Sequence, residues 1–422
     1  MAKPAVTITI AVSASRDAFE FRNRLGTSVT GGVGARLQEA VEKRDQLRRD
    51  LEAILKLTGG DLSLDFAQAD RVFHRFAMLG IGLLLYIFSS VEDTKEDNAS
   101  TKLEAIAKLF KEVMPDEPSM GNWPVVEIIA PPSDKLAIGF PFELLPFLNP
   151  VEPPAINDYG GLAKAMRAFL GFSAIVHRKR FGDPPHLQLK PAIGESPAKL
   201  PIKLFYHADL AGAVDEANFL LRRTDLWVDG PWPVEADIER GDRFVAHHIV
   251  NPATLLCGEE RTPVDQIQHF SCHCDTQDKS SFFSLRAKDC EAAIDIRLDD
   301  LPVYKHLEQN RLAQESPSLE CDMPLVVFNN CGGAAVNEAQ LNAFVEFFWA
   351  TNRNRGFIST QARIPDLLAG AFSKQFYINL LRKRLTVGEA VAEARRAVTL
   401  AYKNPISLFY VHYGSAFLRL AT

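Results

Sequence analysis

Two apolar runs in this chain end in side chains capable of covalent chemistry. The first is Gln266-Ile267-Gln268-His269-Phe270-Ser271-Cys272-His273-Cys274-Asp275. The second is Pro324-Leu325-Val326-Val327-Phe328-Asn329-Asn330-Cys331-Gly332-Gly333-Ala334. A thiol at its ordinary pKa of about 8.5 is only a few per cent thiolate at neutral pH, so it needs a partner to act as a nucleophile. His273 can be that partner for Cys331. Gly332 and Gly333 would let a substrate backbone come close and free nearby amides to face an anion. Ligands of open α/β sheets lie beyond the carboxyl ends of strands. If the two runs are parallel neighbours, the imidazole and the sulfur meet across one interstrand spacing. The plainer alternative is an inert core thiol at Cys331 and a hydrogen-bonded loop residue at His273.

A metal reading competes for the same residues. Cys272, His273 and Cys274, with Cys257 or Cys290 nearby, offer soft and imidazole ligands for zinc. Adjacent strand residues point to opposite faces, however, and the usual spacing of two to four residues between ligands is missing. No metal site is therefore expected, and Cys257, Cys290 and Cys321 read as structural thiols. All six cysteines lie in the C-terminal part of the chain. In a large cytosolic protein they would stay reduced. No G-x-S-x-G elbow or Walker A sequence occurs, and Gly32-Val33-Gly34 lacks the third glycine of a dinucleotide fingerprint. Arg382-Lys383-Arg384 closes a helix, where cations suit the dipole. No cofactor is expected.

The elements that must position these residues can be read from periodicity. Thr7 to Val12 alternates as a strand, and Phe19 and Phe21 mark a second. Leu37 to Leu55 and Ala67 to Phe88 have helical spacing. Ser89 to Ser100 is polar and acidic and reads as a solvated loop. Past residue 120 the pattern turns to short β-rich runs, Val125 to Ile129, Leu136 to Gly139 and Pro141 to Leu145, which suggests a boundary near 110 to 122. From Ile202 onward strands alternate with helices, implying parallel strands with crossover helices. The strands are Ile202 to His207, Leu226 to Val228, Ile267 to Cys272, Leu325 to Phe328, Phe357 to Thr360 and Leu408 to His412. The helices are Ala213 to Arg222, Val336 to Trp349, the stripe Leu368, Phe372, Phe376 and Leu380, and a last one opened by the capping box Thr386-Val387-Gly388-Glu389. Ser281 to Leu285 and Ala293 to Leu298 read as a hairpin inserted after the third strand. The fold class is an α/β sandwich.

The bulk numbers exclude more than they assign. The 422 residues are 47% hydrophobic and 24% charged, an ordinary globular composition, and the net charge of −6 gives no general attraction to nucleic acid or anionic lipid. The apolar run from Phe76 to Phe88 is shorter than the roughly 20 residues of a membrane span. The start of the chain lacks a secretory signal pattern, so a cytoplasmic location is expected.

At its two chemical motifs the sequence resembles a CHAT domain, the caspase-like cysteine peptidase family of the caspase, separase and gingipain fold. The family pattern of an apolar strand ending in His-Phe-x-x-His-Gly stands here as His269-Phe270-Ser271-Cys272-His273-Cys274. The second pattern, Val-Val-x-x-x-Cys, stands as Val326-Val327-Phe328-Asn329-Asn330-Cys331. Histidine precedes cysteine by 58 positions, near the roughly 50 of caspases. Further matches run from Pro141-Phe142-Glu143-Leu144-Leu145 through Tyr206-His207-Ala208 and Glu216-Ala217 to Arg355-Gly356-Phe357-Ile358, Asp366, Phe376-Tyr377, the helix Ala390 to Arg395, and Leu408 to Gly414.

The resemblance implies a caspase-like three-layer sandwich with a mostly parallel sheet over residues 119–422, preceded by a strand-plus-helices region, 1–118, with a regulatory or docking role. It implies peptide-bond hydrolysis, with Cys331 as nucleophile, His273 as base and acid, and the backbone amides of Cys331 and Cys274 holding the oxyanion. The family usually has glycine where Cys274 stands. It further implies that Ser359, Thr360 and Gln361 pair with an extended substrate. Asp275 and Asp366 would give the first specificity pocket a negative character, and Arg363 would argue the other way. The implied partners are a protein substrate, such as a gasdermin-like or other effector in a bacterial defence or cell-death pathway, and an activating partner or ligand. The rival classes are a catalytically silent scaffold of the same fold and a zinc-stabilised interaction module.

Overall fold

The computed structural model describes residues 6–12, 18–32, 49–51, 53–58, 60–88, 96–115, 117–118, 121–130, 140–146, 154–180, 188–191, 199–250, 266–277, 280–307, 323–330, 343–362 and 364–421. The chain forms two compact units. One comprises residues 1–185 and 385–417, the other 186–384 and 418–422.

In the first unit the strands β1 (Ile8–Val12), β2 (Ala18–Asn23), β3 (Ser28–Gly32), β4 (Val125–Ala130), β5 (Ile175–Arg180) and β14 (Tyr410–Gly414) share a sheet in the order β14-β5-β4-β1-β2-β3. The pairs among β14, β5, β4 and β1 are parallel, while β1-β2 and β2-β3 are antiparallel. Helices α1 (Phe66–Phe88), α2 (Glu96–Lys111), α3 (Tyr159–Arg167) and α8 (Val387–Tyr402) complete the unit. The α1 stripe seats Phe73 against Phe169 and Phe76 against Phe409, with ring centroids 5.7 and 5.4 Å apart. Helix α8 opens with the expected capping box: Thr386 accepts from the Glu389 amide, and the Glu389 carboxylate accepts from the Thr386 amide.

Three expectations for this unit are corrected. Pro141 to Leu145 is not a strand, because Phe142–Leu144 is a 3₁₀ turn. Phe142, Glu143 and Leu144 are all buried, and the Leu144 and Leu145 amides donate to the Pro141 and Phe142 carbonyls at 3.0 and 3.1 Å, the i to i+3 pattern of a tight turn. The turn delivers the Glu143 carboxylate to the buried Arg178 guanidinium, through bonds of 2.7 and 2.9 Å. Residues 96–100, read as part of a polar loop, begin α2. Acidic residue types at a helix start suit its dipole. Leu408 and Phe409 belong to a 3₁₀ turn, Pro405–Phe409, and the strand begins at Tyr410. The expected strand Leu136 to Gly139 and most of the helix Leu37 to Leu55 lie outside the described residues, although 49–51 and 53–57 are helical.

The second unit carries a parallel sheet of β7 (Leu200–Tyr206), β8 (Leu226–Trp232), β9 (Ile267–Gln277), β12 (Leu325–Asn330) and β13 (Gly356–Thr360), in the order β8-β7-β9-β12-β13. The expected hairpin is present as β10 (Ser280–Arg286) and β11 (Ala293–Arg297), and β10 pairs antiparallel with the end of β9. Two short strands, β6 (Gln188–Leu189) and β15 (Arg419–Leu420), pair with each other. Helices α4 (Ala211–Leu221), α5 (Glu235–Arg240), α6 (Asp242–Val250) and α7 (Asp366–Tyr377) connect or follow the strands.

Residue parity on β9 shows that the sheet is covered on both faces. Phe270 packs against Phe348 of the π-helical stretch Val345–Thr351, with centroids 5.6 Å apart. Its neighbour His269, pointing the other way, meets Glu216 of α4 and Tyr377 of α7. The result is a mixed α/β fold with a mostly parallel central sheet between helical layers. Close approach of α4 and α7 depends on Gly212, where a Cβ would lie 2.3 Å from the Asp366 carbonyl oxygen.

Candidate active site

The two motif-bearing strands are parallel neighbours. β9 and β12 pair in register from Ile267↔Leu325 to Cys272↔Asn330. β7 flanks β9 on its other side, in register up to Tyr206↔Ser271. The parallel sheet therefore ends at the same level on three strands, and His273 is the first β9 residue beyond it. Cys331, Gly332, Gly333 and Arg363 lie outside the described residues.

His273 corrects one detail of the sequence reading. It does not enter a loop, because β9 continues to Gln277 and His273 lies opposite Ser284 of β10. The inserted hairpin supplies the antiparallel partner that extends the strand. His273 is half-buried, and its Nδ1 is buried with no hydrogen-bond partner among the described residues.

A second imidazole stands beside it. The His207 ring packs edge to face on His273 with centroids 4.6 Å apart and an interplanar angle of 73°. The His207 amide donates to the Ser271 carbonyl at 2.8 Å, which pins this residue to the β9 tip. Burial, and next the neighbouring His273, push the His207 pKa down to about 4, against the pull of Asp209. His207 is neutral at neutral pH. Its Nδ1 accepts from the Asp209 amide at 3.4 Å, leaving the ring proton on Nε2. The Asp209 carboxylate in turn pairs with Arg286 of β10.

The neighbouring thiols are of another kind. Cys272 and Cys274 are both buried, and the Cys272 thiol is hydrogen-bonded to Cys274. Burial, reinforced by Cys274 and Glu216, raises the Cys272 pKa well above the usual thiol value, which makes it a poor nucleophile. Cys272 and Cys274 share one face of β9 while His273 takes the other. Among the described residues no group of three or more His, Cys, Asp or Glu side chains could hold a metal ion. Cys274, at the place where glycine is usual in the resembled family, lies opposite Phe283 in extended backbone with a negative φ that any residue can adopt.

The remaining expected site residues are spread along the sheet. Asp275 is half-buried opposite Phe282 in the β9-β10 ladder. Ser359 and Thr360 are buried at the end of β13, and Gln361 follows them. Asp366 is the first residue of α7, and its Oδ2 accepts from the Gly212 amide at 2.7 Å, supplying the first turn of α4 with an acceptor that Leu210 cannot offer.

Sequence reasoning passed over a buried polar network under the sheet ends. His269 Nε2 lies 2.6 Å from Glu216 Oε2, the Tyr377 hydroxyl lies 3.0 Å from His269 Nδ1, and Asn329 Nδ2 donates to Glu216 Oε1 and to the Ala369 carbonyl. All four side chains are buried. A signal was present: Glu216 interrupts the inward face formed by Ala213, Ala217 and Leu220. A separate cavity of about 500 Å³ is lined by Arg240, Arg243, Phe244, His247, Tyr304 and Leu307, and shares no residue with this network.

Comparison with known proteins gives partial likenesses. No family model matches the chain. A protein of Vitiosangium sp. (strain GDMCC 1.1324) described as a "probable protease" is 33% identical over 98 residues, which are 23% of this chain and 13% of that protein. The chain thus spans a small part of the length of this curated relative. Among solved structures, the Saccharomyces cerevisiae separase–securin complex superposes with a TM-score of 0.43 at 10% identity, over 97% of this chain and 30% of the matched one.

Proposed function

We propose that this chain is a cysteine peptidase of the caspase-like, CHAT type, with Cys331 as nucleophile and His273 as general base and acid. The observation that carries the reading is the parallel register of β9 and β12. Cys272 and Asn330 are opposed, and the next residue in sequence on each strand is His273 and Cys331. The buried Nδ1 of His273, which has no hydrogen-bond partner among the described residues, is consistent with an imidazole whose partner is a thiol. The protease description of the partial relative supports the same reaction class. In this reading the sulfur attacks the scissile carbonyl, its proton passes to His273, and His273 returns it to the leaving amine. The amides of Cys331 and Cys274 would hold the oxyanion. Asp275 and Asp366 would favour a basic residue before the cut, and Ser359, Thr360 and Gln361 would align the substrate chain.

The proposal extends to a protein substrate in a bacterial defence or cell-death pathway, with a partner or ligand that orders the active-site loops. Residues 1–118 would serve docking or regulation. These parts rest on the family resemblance of the two motifs.

The test is selective labelling of Cys331 by a thiol-reactive probe, together with a proteome-wide search for new N-termini in cells carrying wild type or Cys331→Ala. Labelling that disappears in His273→Ala, and N-termini absent from Cys331→Ala, are the expected results. Labelling of Cys331 that is indifferent to His273→Ala, with identical N-termini in both strains, would leave the silent scaffold standing.

A further inference from the structure

Glu216 connects the two motif strands through a single carboxylate. Its Oε2 lies 2.6 Å from His269 of β9, and its Oε1 accepts from Asn329 of β12. The bonding pattern assigns the protons. Glu216 as a carboxylate accepts from both partners, so His269 carries its proton on Nε2 and its Nδ1 accepts from the Tyr377 hydroxyl at 3.0 Å. Asn329 also donates to the Ala369 carbonyl at 3.0 Å. Each of these groups is engaged, and each is buried.

The positions on the strands give this arrangement its meaning. His269 lies four residues before His273 on the same face of β9, and Asn329 lies two residues before Cys331 on β12. We propose that Glu216 is a positioning residue of the dyad, an inference that rests on the peptidase reading above. By bonding one oxygen to each strand it fixes the twist between β9 and β12 where they end.

Backbone pairing alone does not do this. It sets the register, but neighbouring strands twist against each other over a range of roughly 10 to 35°. A change of about 10° acting over roughly 10 Å of strand moves a tip by about 2 Å. Misplacement of about 1 Å can cost on the order of 100-fold in rate. Stability does not account for the network, since a buried ion or ion pair is often matched or exceeded by apolar residues of the same volume. His269 meets Glu216 from α4 and Tyr377 from α7, Asn329 from β12 bonds the other oxygen of Glu216, and His273 faces His207 from β7.

The experiment uses iodoacetamide on the full chain, with alkylation followed on the Cys331 peptide by mass spectrometry across pH. Wild type, Glu216→Gln, Tyr377→Phe and His273→Ala are compared, each checked for folding by near-ultraviolet circular dichroism. In wild type the alkylation midpoint should lie well below the ordinary thiol value of about 8.5. In folded Glu216→Gln and Tyr377→Phe the rate at pH 7 should fall roughly 10- to 100-fold, and the midpoint should rise toward the ordinary value. If Glu216→Gln does not fold, Tyr377→Phe decides, because it removes one hydroxyl and keeps the ring. Variants that melt at lower temperature but keep the wild-type midpoint would reduce the network to a structural role and overturn the inference. A wild-type midpoint near 8.5 that His273→Ala leaves in place would instead overturn the dyad, and the inference with it.

Discussion

Cys272 and Asn330 face each other as the last pair of the parallel ladder between β9 and β12. Each is followed directly in sequence by a residue of the proposed dyad. Adjacent strands are separated by about 4.8 Å, a distance that an imidazole and a thiol can bridge with their side chains.

The ring beside His273 should tune it. His207 is neutral at neutral pH because burial holds its pKa at about 4. A permanent cation at the same place would disfavour the His273 imidazolium that forms when the thiol gives up its proton. His207→Lys should therefore raise the pH midpoint of Cys331 alkylation by about one unit and slow alkylation at pH 7 roughly tenfold. An unchanged midpoint in folded protein would mean that the two rings are not electrostatically coupled.

Acid should destabilise the first unit. His177 and His412 are buried, and burial is the leading reason that both have pKa values below the usual 6.5, with positive neighbours adding to the effect at His412. The unfolded chain binds protons on these groups as pH drops below about 6.5, whereas the folded chain resists them. Their neutral-state stability is thus complete above that value and is lost as pH falls through it, by up to about 1.4 kcal/mol per pH unit for each histidine. Thermal melts at pH 7.5 and 5.5 should differ by several degrees, and His412→Gln should shrink the difference. Equal melting temperatures for wild type at the two pH values would refute this.

Glu143 should be costly to remove. It holds Arg178 through two bonds and lies 3.6 Å from the Arg395 guanidinium, all three side chains being buried. Burial already lowers the Arg395 pKa to about 10, despite the help of Glu143. Glu143→Ala leaves two buried cations without their counter-ion, a loss of about 3–5 kcal/mol readable in urea denaturation. A loss under about 1 kcal/mol would show that the carboxylate is not their main support.

Local pattern was sufficient for much of the fold. The alternation of Thr7 to Val12, the helical stripe of Ala67 to Phe88, the capping box at Thr386 and the hairpin after the third strand all stand where their spacing puts them. These features depend on residues close in sequence. The strand Ile175–Arg180 has no signature in the sequence, because His177, Arg178, Lys179 and Arg180 break the apolar alternation that marks a strand. Its burial follows from Glu143 and Gly414, distant residues that accept hydrogen bonds from Arg178 and His177.

By itself the sequence determined the candidate chemistry, a histidine and a cysteine each at the end of an apolar run, and the alternation of strand and helix that makes a parallel sheet. Tertiary structure alone decided that β9 and β12 are neighbours in register, that a hairpin carries β9 past His273, and that His207 stands against it. It also decided that one carboxylate on α4 serves both strands. The reason is that periodicity records which face of an element is buried, while hydrogen bonds between residues 53 to 113 positions apart exist only after the layers have packed.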